Sequence, residues 1–129
     1  MRYLPARKRR SQWHLDRHFF WATHARHTLG FHEALAEHYN LHIPAHPGFG
    51  NTQRIEWIMN MRDLAGWYLQ ALDELDLGPV SVAGFSLGGW LAAEMATMCP
   101  HQFKKLVLVS PPGIKPPVGD IYDMFLEVI

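Results

Sequence analysis

Residues 79–96, PVSVAGFSLGGWLAAEMA, set a short strand-like run directly against a helical one, with one serine, Ser86, at the join. PVSVAG reads as a buried strand and LGGWLAAEMATM as a helix. A serine between them stands on a tight turn at the C-terminal end of the strand, so its hydroxyl is clear of the backbone. Such a turn crowds its neighbours. Side chains two residues before and after the serine would collide with the adjoining strand and helix, and those places hold Gly84 and Gly88, with Phe85 filling the position between. The helix also points its leading N–H groups, that of Leu87 first, at the place where an oxyanion would form.

Outward from this stretch the patterning is regular. KLVLVS, 105–110, is expected to be a second buried strand with an all-apolar centre. Residues 54–77 place Ile58, Met61, Ala65, Leu69 and Leu72 at steps of three and four, which predicts one long helix stopped by Gly78 and Pro79. Before it, FHEALAEHY reads as a short helix, LHIP as a strand and HPGFGNT as a turn. Strands alternating with helices of this length predict an α/β fold with a mostly parallel sheet flanked by helices. The first thirty residues are rich in Arg, His and Trp, and only HFFWAT, 18–23, has strand-like content.

From Phe31 onward the chain resembles the α/β-hydrolase family. The resemblance is carried by HPGFG, by VAGFSLGG with its GxSxG nucleophile elbow, by the helix ending in CP, and by KLVLVSPPG. It implies a partial α/β-hydrolase fold in which residues 31–113 are the core and 114–129 begin a cap. It further implies a serine hydrolase, free of cofactor and metal, acting on an ester or carbonyl small molecule. Ser86 would be the nucleophile, and the N–H groups of Leu87 and Ala25 the oxyanion donors. Relatives have His-Gly where this chain has His24-Ala25. Their strand before the first helix lies between the strands corresponding to LHIP and PVSVAG, so residues 18–23 must supply it or leave a gap.

The resemblance also shows what to look for and not find. A serine nucleophile needs a base and an orienting acid, in the chain order Ser, Asp or Glu, His. Only His101 follows Ser86, and its place in CPHQF, just before KLVLVS, puts it at the opposite edge of the sheet. Asp120 and Asp123 fall where the cap begins, and neither is taken as the acid. The chain is therefore expected to be a fragment lacking the acid and the histidine, with 105–110 left as an exposed apolar edge and marginal solubility. The alternative is an inactive remnant or interaction module of the same fold.

Composition narrows the rest. Twelve basic and twelve acidic residues give zero formal charge, so nothing in the balance predicts a nucleic-acid or membrane partner. ARKRR near the start is read as a solvated tail. No apolar run is long enough for a membrane span. The single cysteine, Cys99, cannot form an internal disulfide, which agrees with the expected cytoplasmic location. Nine histidines invite a metal site, but His42 belongs to a strand and His46 to a turn, so they share no helical face. No metal site is expected.

Overall fold

The computed structural model describes residues 2–4, 18–22, 30–113 and 115–119. Among the described residues five strands form one sheet: β1 (Arg2–Leu4), β2 (His18–Ala22), β3 (Asn40–Ile43), β4 (Val80–Phe85) and β5 (Phe103–Val109). Their spatial order is β1-β3-β2-β4-β5. β2 through β5 run parallel, and β1 pairs antiparallel with β3, Tyr3 opposite His42. β2 occupies the place between β3 and β4 that HFFWAT had to fill. Three-residue β1 was not anticipated, because RYL is too short to show a period.

Among the described residues three α-helices lie in the connections between the parallel strands: α1 (Gly30–Ala36), α2 (Met61–Glu74) and α3 (Leu87–Met98). α2 and α3 pack on each other, and α3 lies over β4 and β5. Right-handed crossovers put α1, whose connection runs the opposite way across the sheet, on the other face. Ala65, Tyr68, Leu69 and Leu72 form the buried stripe of α2, meeting Leu91, Ala92 and Met95 of α3 and Val80 and Val82 of β4. The i, i+3, i+4, i+7 spacing on α2 is the source of that stripe.

The helix predicted over 54–77 is shorter in the structure. It begins at Met61 because Asn60 caps it: the Asn60 side chain accepts from the Asp63 N–H at 2.9 Å, and Asp63 accepts from the Met59 N–H at 2.9 Å. Ile58 therefore lies outside the helix despite its spacing. The stop comes before Gly78, since Asp76 takes the left-handed conformation (φ 49°). The Leu77 N–H then reaches the Leu72 carbonyl and the Asp76 N–H reaches that of Asp73, the paired bonds of a Schellman ending. Asn60→Ala is expected to cost about 1 kcal/mol in urea unfolding.

Of the two expectations for KLVLVS, a buried strand and an exposed apolar edge, the structure shows the edge. Leu106, Val107 and Val109 are 40%, 48% and 38% exposed. The cause is topological: among the described residues β5 has a neighbour, β4, on one side only. An apolar strand left at an edge in this way is a site for association.

Candidate active site at the end of β4

The chain leaves β2 to reach β3 on one side and leaves β4 to reach β5 on the other. The sheet thus reverses direction between β2 and β4. In open parallel sheets the crevice beyond the C-terminal ends of the strands at such a point is where ligands bind. Ser86, the first residue after β4, stands at that point.

Its backbone is unusual for a residue with a side chain, φ 53° and ψ −122°, a conformation that costs of order 1–3 kcal/mol. Surrounding bonds hold it there. The Ser86 N–H donates to the Val109 carbonyl of β5 at 2.9 Å, and the Ser86 carbonyl accepts from the N–H groups of Gly89 and Trp90 at 2.8 and 3.2 Å. The side chain is exposed and makes no capping bond to α3. The first turn of α3 leaves its leading N–H groups, Leu87 included, without helical acceptors, beside the serine.

The glycines have a measurable reason to be glycines. A Cβ on Gly84 would strike the Gly88 carbonyl and come within 2.6 Å of the Gly89 Cα. Gly88 is itself buried. Gly89 was missed in the sequence: a Cβ there would lie 3.0 Å from the Pro111 Cβ and 3.1 Å from the Gly84 carbonyl oxygen. Gly113 is closed in by the Trp90 indole, whose Cγ would stand 2.7 Å from an added Cβ. The PPG after β5 therefore packs on the first turn of α3 and braces the serine turn. The doubled glycine of SLGG and the PPG together were the available signal.

His101 is exposed in a 3-10 turn, Pro100–Gln102, immediately before β5. It is at the N-terminal edge, a strand length of roughly 20 Å from the Ser86 edge. There it lines a cleft of about 210 Å³ with Asp73, Asp76 and Gln102. Ala25, Asp120 and Asp123 lie outside the described residues. Phe85, the last residue of β4, is exposed beside Ser86.

His46, at the turn after β3, is buried and hydrogen-bonded through Nδ1 to the Tyr68 hydroxyl of α2 at 2.8 Å. That bond ties the HPGFG turn to the core, a role the sequence did not reveal. Burial pushes the Tyr68 phenol above its ordinary value of 10.0. A phenol that ionises near 10 in the unfolded chain and later in the fold gives stability that is complete below pH 10 and declines above it. Tyr68→Phe should cost about 1–2 kcal/mol at pH 8 and remove that part of the alkaline decline, as read by urea unfolding at pH 8 and 10.5. Among the described residues no group of three or more His, Cys, Asp or Glu is placed to hold a metal. No helix of the described residues is long and apolar enough to cross a membrane.

Comparison with known proteins agrees with this geometry. Residues 21–126 match the family model of the alpha/beta hydrolase fold. The chain is 35% identical over 94 residues to a pimeloyl-[acyl-carrier protein] methyl ester esterase of Pectobacterium carotovorum, covering 65% of this chain and 35% of that protein. It is 24% identical over 78 residues to an (E)-2-((N-methylformamido)methylene)succinate hydrolase of Acinetobacter baylyi, covering 60% and 30%. The chain thus spans about a third of the length of these relatives. The crystal structure of wild-type Cfl2 from Burkholderia cenocepacia superimposes with a TM-score of 0.66 at 20% identity, over 84% of this chain and 40% of that one, a likeness of fold. With the family model matched over most of its length and a glycine-flanked serine on a strained turn at the reversal point of a parallel sheet, the chain belongs to the α/β-hydrolase fold family.

Proposed function

We propose that Ser86 is the nucleophile of a serine hydrolase that cleaves an ester, or a related acyl or carbon–carbon bond, in a small molecule. The observation that carries the reading is the strained, exposed Ser86 at the end of β4, held by backbone bonds and leaving its hydroxyl unused by the fold. In this reading the hydroxyl oxygen attacks the substrate carbonyl, and the Leu87 and Ala25 N–H groups receive the oxyanion. A related protein named as a methyl ester esterase supports an ester substrate. Residues 31–113 form the core segment of this enzyme and 114–129 the start of its cap. The lone Cys99 supports a cytoplasmic setting.

The position of His101 favours a second reading, in which the chain keeps the face of the fold as an interaction module without turnover. His101 is at the far edge of the sheet and cannot take the Ser86 proton. The 129 residues should therefore hydrolyse simple esters poorly. Incubation with p-nitrophenyl acetate and with a fluorophosphonate, read by absorbance and intact mass, separates the readings. Ser86-dependent labelling supports the nucleophile, and turnover lost in Ser86→Ala supports a complete enzyme. Neither labelling nor turnover supports the module.

A further inference from the structure

Large apolar side chains left in water gather at the edge that carries Ser86. Phe49, Trp57, Met59, Phe85 and Val118 are all exposed and belong to segments at or beyond the C-terminal ends of β3, β4 and β5. Because those strands are parallel, these segments share one edge of the sheet. The opposite edge shows Leu75. Phe49 is 44% exposed and Phe85 is 51% exposed.

Phe49 is held firmly all the same. Its N–H donates to the Thr52 hydroxyl at 3.0 Å and to the His46 carbonyl at 3.1 Å, and its carbonyl accepts from the Thr52 N–H at 3.2 Å. Its ring meets the His46 ring edge-on at 5.8 Å, and His46 is fixed in turn by Tyr68. Thus an anchored turn holds a large apolar residue that is still partly open to solvent. The exposed ionisable groups of the described connections at this edge, Arg54, Glu56 and Lys115, are of mixed sign, so no single-sign field selects a charged ligand.

We propose that Phe49 and Phe85 are specificity residues that bind the hydrocarbon part of the substrate, so that Ser86 acts on an ester carrying an apolar chain. The proposal rests on the reading of Ser86 as nucleophile. β3 and β4 are separated by β2, two strand spacings or roughly 10 Å, and the turn that carries Phe49 follows β3 as Ser86 follows β4.

Two fluorophosphonates, one with an ethyl and one with a dodecyl chain, test it on the 129-residue protein. The dodecyl probe should label Ser86 at least about tenfold faster, and Phe49→Ala should lower that ratio about tenfold. A ratio near one in the starting protein, or one unchanged in Phe49→Ala, overturns the proposal while leaving the nucleophile intact. If neither probe labels Ser86, the nucleophile reading fails, and the apolar surface is tested alone by adding methyl dodecanoate or methyl acetate to Ser86→Ala. Amide NMR shifts at Phe49 and Phe85 with the long ester only uphold the binding surface. Equal shifts with both esters, or none, overturn it.

Discussion

Replacing Ser86 by glycine is expected to stabilise the fold by about 1 kcal/mol while abolishing covalent labelling at this position. Ser86 holds φ 53°, a region that is strained for a residue with a Cβ and open to glycine. Its side chain is exposed and makes no capping bond, so little is lost from the folded state when it goes. Against the relief of about 1–3 kcal/mol stands the greater freedom of glycine in the unfolded chain, about 0.5–1 kcal/mol, and relief wins. Ser86→Ala is the necessary companion. It keeps the Cβ and the strain, so it should match the starting protein within about 0.5 kcal/mol and still lose labelling. Urea unfolding of the three proteins decides the matter. Equal stability of the glycine and alanine variants would mean that the turn stores no strain at Ser86.

The tight turn at Ser86 and the crowding at Gly84 were legible in the sequence, because GxSxG sits between a strand and a helix. So were the parallel strands and α3, whose bounds at Leu87 and Met98 coincide with LGGWLAAEMATM. What escaped was set by contacts that hydrophobic patterning does not carry. The start of α2 follows from the Asp63 N–H donating to the Asn60 side chain and the Met59 N–H donating to the Asp63 carboxylate, which hydrophobic spacing does not register: Ile58 fits the period and lies outside the helix. The exposure of β5 at the end of the sheet was expected only through the family resemblance, since an all-apolar strand looks the same at the centre or the edge. His46 read as one of several spaced histidines. Only the fold brings it to Tyr68, twenty-two residues on, and makes it a tie for the turn that carries Phe49.

Two glycine-to-alanine changes of identical chemistry should move stability in opposite directions, and their difference measures how tightly the serine turn is built. Gly66 lies inside α2, where an added Cβ meets the Met98 Cε at 3.8 Å, an ordinary contact. Alanine there should stabilise by about 0.5–1 kcal/mol, through lower backbone freedom in the unfolded chain. Gly84 is the reverse case. The same Cβ would meet the Gly88 carbonyl and the Gly89 Cα, both backbone, so no side-chain rotation relieves the overlap. β4 and α3 cannot simply separate, because the Ser86 N–H is bound to the Val109 carbonyl and the Ser86 carbonyl to Gly89 and Trp90. Overpacking against fixed atoms costs about 3 kcal/mol or more, and any relaxation must move the serine itself. Gly84→Ala should therefore lower the urea midpoint sharply and reduce fluorophosphonate labelling of the molecules that remain folded. If Gly84→Ala and Gly66→Ala proved equally stable, the crowding that explains the glycine before the serine would be wrong.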